Sequence, residues 1–293
     1  MPELPDITVY IESLEARVLG RAMTGVRVVN PFVLRSVEPP INRLVGARIA
    51  GFRRMGKRIV IEFDDDVFLV IHLMIAGRLR WRDPGGDVVR PAPLARFEFD
   101  NGVLVLTEAG KQRRASLHVV QGEDNLAQFD RGGLEVLSAS PVDFEQRLRS
   151  ENHTLKRSLT DPTLFSGIGN AYSDEILHRA RLSPLLLTSR MTGEQVAQLY
   201  DAVRDVLVEW TDRLRRDAGG AFPEKVTAFR EGMAVHGRFG QPCPVCGSPV
   251  QRIRYADNET NYCARCQTGG RLLADRAMSR LLKQDWPRSL DEL

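Results

Sequence analysis

The sequence predicts an α+β fold: an N-terminal β-sandwich with a leading helix, a C-terminal helical domain built on a helix–two-turn–helix, and a four-cysteine finger. Three observations lead there. Apolar residues alternate with period two from Val26 to about Val120, helical periodicity replaces that alternation after about residue 140, and all four cysteines fall in one stretch near the end. A chain of 293 residues is long enough for two compact units with cores of their own.

Taken in order, Met1-Pro2-Glu3-Leu4-Pro5-Asp6 is followed by Ile7, Ile11, Leu14 and Val18 at helical spacing, with Asp6 as N-cap and Gly20 as stop. Strands are expected at 57–63, 67–73, 78–81, 95–99 and 103–106, and Asp100-Asn101-Gly102 between the last two is a hairpin corner. Many short strands behind one helix make a sandwich or flattened barrel. The stretch 121–140 has no sustained period and carries Gly122, Gly132 and Gly133, so it reads as a linker. Helices are expected at 143–150, 155–160, 170–181 and 193–216. The last carries Val196, Leu199, Val203, Leu207, Trp210 and Leu214 on one face, behind a capping box of Thr192 and Gln195. A further helix is expected at 272–282. The segments are then 1–120 sandwich, 121–140 linker, 141–235 helical domain, 236–270 finger and 271–293 C-terminal extension.

Composition excludes some classes. With 41 Lys+Arg against 38 Asp+Glu and 43% hydrophobic residues, the chain is neither a disordered tail nor a membrane bundle. The longest apolar run, Val67 to Ala76, is interrupted by His72 and falls short of the ~18 residues a membrane span needs. The first twenty residues carry Glu3, Asp6, Glu12 and Glu15, unlike a signal peptide, so a cytoplasmic protein without a membrane partner is expected. With no heptad repeat, a monomer is expected. A net charge of +3 does not by itself identify a polyanionic partner.

Cysteine placement says more. Cys243-Pro-Val-Cys246 and Cys263-Ala-Arg-Cys266 form a C-x2-C-x16-C-x2-C pattern. Each C-x-x-C turn aims two thiolates at one centre, and four sulfurs close a tetrahedron with no position left for substrate, so one structural Zn2+ is expected and no organic cofactor. Two disulfides are the alternative, and no export signal supports them.

Ser166-Gly167-Ile168-Gly169-Asn170 lies between two helices, where exposed N–H groups suit an anion such as phosphate; a plain interhelix turn explains the glycines equally well. Pro2 follows an initiator Met that is readily removed before a small residue, which would expose a secondary amine. Such an amine attacks an aldehyde-like carbon such as C1′ of a deoxyribose, and the resulting iminium promotes loss of the 3′ phosphate. Glu3 is placed to act as general acid/base, and Lys57 to hold a phosphate or pass a proton. Singly, each has a plainer explanation: a stable N-terminus, a surface acid, a solvated strand-edge charge.

Together, Met1-Pro2-Glu3-Leu4-Pro5, Gly56-Lys57 at a strand start, Gly167-Ile168-Gly169-Asn170 and the four-cysteine finger resemble the bacterial formamidopyrimidine-DNA glycosylase and endonuclease VIII family, over residues 1 to about 267. The resemblance implies damaged DNA as partner, with base flipping, glycosidic bond cleavage and β,δ-elimination. It makes Pro2 the Schiff-base nucleophile, Glu3 the proton donor and Lys57 the cationic partner in elimination. Asn170 becomes a phosphate ligand and Lys156 a contact near the lesion.

The sequence departs from the family pattern at residues that read the lesion or grip the backbone. Asn258 replaces the finger arginine, and Arg252 and Arg254 are its possible substitutes. Ile75 stands where the family inserts a methionine into the gap left by the flipped base, with Met74 beside it. The loop supplying the other wedge residues is Glu108-Ala109-Gly110-Lys111-Gln112-Arg113-Arg114-Ala115, without its aromatic. Asp6 replaces a glutamate, the expected histidine near 92–94 is absent, and residues 268–293 continue past the usual end. Two alternatives therefore stand beside a lesion glycosylase with abasic-site lyase activity. One is the same chemistry on abasic, bulky, cross-linked or single-stranded lesions. The other is a non-catalytic binder of distorted DNA.

Overall fold

The computed structural model describes residues 1–84, 92–109, 113–224, 226–227, 229–255, 258–285 and 287–292, without the side chains of residues 255, 258, 276–278 and 284. The described chain forms two units by packing: Met1–Arg131 with Trp210–Thr227, and Gly132–Glu209 with Ala228–Leu293. This grouping differs from the five segments expected. The end of the long helix and the segment after it pack with the sandwich, and the boundary falls inside the stretch read as a linker.

The first unit opens with helix α1 (Leu4–Val18). Eight strands follow: β1 (Gly25–Val28), β2 (Ile49–Met55), β3 (Arg58–Phe63), β4 (Val67–His72), β5 (Gly77–Arg82), β6 (Pro93–Phe99), β7 (Gly102–Glu108) and β8 (Ser116–Gln121). They form two antiparallel four-stranded sheets, ordered β1-β6-β7-β5 and β2-β3-β4-β8. Alternation explains the pairing. Ile59, Ile61, Leu69, Ile71 and Leu117 of one sheet share a core with Leu79, Phe97, Leu104 and Leu106 of the other, and α1 adds Ile7, Tyr10 and Leu14.

The near-continuous apolar run in β4 has its own cause. Val60, Phe68, Val70 and Val120 point to the opposite face, where Leu126 and Phe129 cover them. Leu126 belongs to a short helix, α2 (Glu123–Ala127), inside the stretch read as a linker, so that stretch begins as a lid on the sheet.

In the second unit, α3 (Pro141–Arg149), α4 (Leu155–Thr160) and α5 (Asn170–Arg179) bury Phe144, Leu148, Leu155, Leu159, Ile176 and Leu177. Helix α6 (Gly193–Ala218) begins at the expected capping box, the Thr192 amide donating to Gln195 Oε1 at 3.1 Å and the Gln195 amide to Thr192 Oγ1 at 3.2 Å. The finger is the hairpin β9 (Gln251–Tyr255) and β10 (Asn258–Tyr262), followed by α7 (Ala264–Thr268). The last helix, α8 (Arg276–Leu282), starts four residues later than the periodicity suggests. The preceding residues, among them Leu272 and Leu273, pack against the hairpin in non-helical form.

Candidate active site and metal centre

In the first unit the chain start is held by its own helix. Glu3, 2% exposed, is the N-cap of α1, and its amide donates to Asp6 Oδ2 at 2.9 Å while the Asp6 amide returns to the Glu3 carboxylate. The cap is thus Glu3 rather than Asp6, because Pro5 lies in the first turn, where a missing N–H costs nothing. Pro2 is buried beside it. The α-amino group of Met1 lies below the usual amine range. Burial is the largest cause; Glu3 and Asp6 pull the other way, while the cationic charges of Arg78 and Lys57 add to the lowering.

Lys57 sits in the turn joining β2 to β3, one residue before the strand, with Gly56 supplying the positive φ of 62°. Next to it is a residue that motif reading passes over. His72 lies at the end of β4 opposite Arg58. Burial pushes its imidazole down to about 4, with Arg58, Lys57 and His118 adding to the effect, so it is neutral at pH 7. In the sequence it reads only as a break in an apolar run. Arg78, which opens the outer face of β5, carries no motif either.

Ile75 is 62% exposed on a tight turn. Met74 has φ of 53°, and a Cβ on Gly77 would meet the Leu73 carbonyl oxygen at 2.2 Å. The turn thus presents an aliphatic side chain to solvent. Residues 110–112 of the expected wedge loop lie outside the described residues. On its flanks the buried Glu108 carboxylate accepts the amides of Arg114 (3.0 Å) and Ala115 (3.1 Å).

In the second unit Asn170 is the first residue of α5, after Gly169 as N-cap. Of the two glycines only Gly167, with φ of 82°, needs glycine's freedom; Gly169 is extended at −130°. The Asn170 side chain donates to the Glu259 carbonyl of β10 at 2.9 Å, which ties the helix start to the finger. Lys156, expected as a lesion contact, lies against α5. Its ammonium donates to the Asn170 carbonyl (2.7 Å), Ser173 Oγ (2.8 Å) and Asp174 Oδ1 (2.6 Å), so its three protons are engaged within the helical domain. Asp174, fully buried, also holds His236 Nδ1 at 2.8 Å and the Asn261 amide at 3.2 Å. Its neighbour Glu175 accepts three successive backbone amides, from Ala234 to His236, at 2.7–2.9 Å. This pair of acids knits α4, α5, the pre-finger loop and β10 into one network, and sequence periodicity gives no sign of it.

On the hairpin, Asn258 begins β10; its side chain is outside the described set. Of the two candidate substitutes, Arg252 lies over the Phe239 ring at 4.0 Å and pairs with Glu259 at 3.4 Å. Arg254 is 61% exposed, with Glu259 at 3.5 Å.

The cysteines converge. All four Sγ atoms lie within 4.8 Å of one another, with Cys243–Cys266 at 3.9 Å and Cys246–Cys263 at 3.4 Å. These separations exceed a disulfide's ~2.05 Å and fit the edges of about 3.8 Å in a tetrahedron with Zn–S of about 2.3 Å. Without a cation, burial pushes the Cys263 thiol up to about 11; a dication at the centre is what allows four thiolates together. His178 Nε2 lies 3.3 Å from Cys243 Sγ, an outer-shell partner that orients this ligand. The finger holds one structural zinc ion.

These parts define a class: a β-sandwich joined to a helix–two-turn–helix domain and a zinc finger, with an acid-capped buried N-terminus. Comparison with known proteins narrows it. The Formamidopyrimidine-DNA glycosylase N-terminal domain matches residues 1–115, the Formamidopyrimidine-DNA glycosylase H2TH domain residues 136–217, and the zinc finger found in FPG and IleRS residues 240–269. The formamidopyrimidine-DNA glycosylase of Solibacter usitatus is 31% identical over 91% of this chain and 99% of its own. A formamidopyrimidine-DNA glycosylase-like protein of Mycobacterium tuberculosis is 43% identical over 52% of this chain and 94% of its own. Among solved structures, the MutM (Fpg) protein of Thermus thermophilus superposes with a TM-score of 0.76 at 31% identity, over 91% of this chain and 98% of that one. The Lactococcus lactis Fpg in complex with abasic-site DNA has the same fold, with a TM-score of 0.80 at 24% identity over 91% and 99%. The chain belongs to the formamidopyrimidine-DNA glycosylase family, the DNA glycosylases of base-excision repair. No helix among the described residues is long and apolar enough to cross a membrane.

Proposed function

We propose that this protein binds damaged DNA as a monomer, excises a lesion base and cleaves the abasic strand, using Pro2 as nucleophile once Met1 is removed. The Pro2 nitrogen attacks C1′, the C1′–N bond breaks, and the base leaves with a proton. Glu3 donates a proton to the sugar ring oxygen as the ring opens to a cationic iminium. Loss of the C2′ proton then expels the 3′ phosphate, a second elimination expels the 5′ phosphate, and water releases the sugar remnant from the amine. Lys57 holds the phosphate next to the reacting sugar, and Asn170 and Arg254 hold backbone phosphates farther along. Ile75 fills the space the flipped nucleotide leaves.

The observation that carries this reading is the placement of Pro2, buried at the start of the chain beside the buried Glu3 that caps α1. Structural relatives solved with abasic-site DNA and with DNA carrying an opened purine or an oxidised pyrimidine lend it further support. Borohydride reduction with an abasic-site duplex tests it. A covalent adduct is expected, at the mass of the chain lacking Met1, and much weaker in Pro2→Gly, whose free glycine amine lacks proline's fixed ring geometry. A wild type that yields no adduct, or retains Met1 in its native host, overturns the assignment.

An exposed aliphatic Ile75 and an Asn258 in place of the finger arginine favour a shifted lesion preference within the same chemistry. A panel of duplex and single-stranded lesions reads this out, and excision of 8-oxoguanine above all other lesions would count against it.

A further inference from the structure

The matched finger ends at residue 269, yet the chain continues for 24 residues. Relatives matched over 99–100% of their own length cover 91% of this one. We propose that this C-terminal extension braces the finger hairpin, and that Asp275 is a positioning residue which aims Arg254 at DNA. The inference rests on the reading of Arg254 as a phosphate contact.

The extension folds back on itself and onto the hairpin. Leu272 donates its amide to the Arg288 carbonyl (2.9 Å), and Leu290 donates to the Gly270 carbonyl (3.0 Å). Leu272 and Leu273 enter a core with Ile253, Tyr262 and Ala264, flanked by Leu185 and Leu290. Two polar contacts then fix the register. The Leu273 amide donates to the Tyr262 hydroxyl at 2.7 Å, in the interior. Asp275, 5% exposed, accepts the Arg254 amide on its Oδ2 at 2.9 Å.

That second contact has a clear physical purpose. Among the described residues strand β9 pairs with β10 alone, so its outward amides lack the partner a third strand would give. A carboxylate takes that place at Arg254, and a charged acceptor is stronger than a neutral one. Directly across the ladder from Arg254 is Glu259, whose carbonyl holds the Asn170 side chain and whose carboxylate faces Arg252 and Arg254. Fixing the backbone at 254 therefore sets the position of Arg254 and, through Glu259, of Asn170. A short hairpin left with an open edge would fray and lose both.

The test uses full-length, zinc-loaded protein on an abasic-site duplex, comparing Asp275→Ala, Asp275→Asn and Tyr262→Phe with wild type. Asp275→Ala is expected to raise KM about tenfold with kcat within about twofold, and to speed hydrogen exchange of the Arg254 amide. Asp275→Asn keeps an acceptor oxygen and is expected to recover most of the KM. Zinc content shows whether the finger persists. If Asp275→Ala sheds zinc, Tyr262→Phe is decisive, because it loosens the brace without opening a buried charge site. A wild-type KM in Asp275→Ala or, in that event, in Tyr262→Phe overturns the proposal, as does an equal loss in the Ala and Asn variants. A borohydride adduct with an unchanged KM would end this inference alone; loss of the wild-type adduct would end the catalytic reading instead.

Discussion

At the scale of single residues, Glu3 has two tasks that substitution can separate. It caps α1, and it is the proton donor of the proposed reaction. Glu3→Gln keeps an oxygen to accept the Asp6 amide, so stability is expected to stay within about 1 kcal/mol. Base excision, measured in single turnover, is expected to fall by about 10²- to 10⁴-fold. His72 makes a prediction about pH. Its imidazole titrates at about 4 in the folded chain against an ordinary histidine value of 6.5, so the unfolded state binds its proton first as pH falls. The stability it contributes is present above 6.5 and is lost toward pH 4, amounting to roughly 3 kcal/mol. Denaturant melts of wild type and His72→Gln, at pH 7 and pH 4.5, are expected to converge on acidification. The four cysteines were legible as residues because they carry distinctive chemistry at fixed places in a motif, and the same kind of motif is what singles out Pro2, Glu3 and Lys57 for the proposed reaction. His72, Arg78 and Asp174 were not, since a charge acquires a role there only from what packs around it.

At the scale of elements, the turn between β4 and β5 shows how backbone geometry sets the placement of one side chain, Ile75. Gly77→Ala would press a methyl within 2.2 Å of the Leu73 carbonyl oxygen, and backbone rather than a flexible side chain must yield. The expected cost is about 1–3 kcal/mol, read from a denaturant melt, with weaker binding to lesion duplex as Ile75 shifts. Strands and helices were readable from periodicity wherever one face is buried, as in β5 and α6. The reading lost accuracy where burial is two-sided or local. The lid over β4 made its segment look like a linker, and the non-helical start of the extension gave its apolar residues to a hairpin rather than to a helix face. Lys156 illustrates the same limit: the sequence gives no sign of the three acceptors on α5 that its ammonium meets.

At the scale of the molecule, stability is assembled from two different sources. The sandwich rests on a shared apolar core, with Arg215 of α6 forked onto Glu12 of α1 at 2.6 and 2.9 Å. The finger rests on metal. Structural zinc contributes on the order of 10 kcal/mol in such small domains. Chelation is therefore expected to release one zinc per chain and remove amide protection over β9 and β10. Protection in β3, β4 and β7 is expected to survive. Uniform loss across the chain, measured by hydrogen exchange, would contradict this division.

By itself, the sequence determined the α+β class and the metal site, because periodicity and ligand spacing are local properties of a chain. Only the tertiary structure decided that Glu3 rather than Asp6 caps α1 and that Lys156 is spent inside its own domain. It also decided that an extension beyond the finger reaches back to Arg254. Each of these depends on desolvation and on hydrogen-bond partners distant in the chain, and neither quantity exists until the chain has folded.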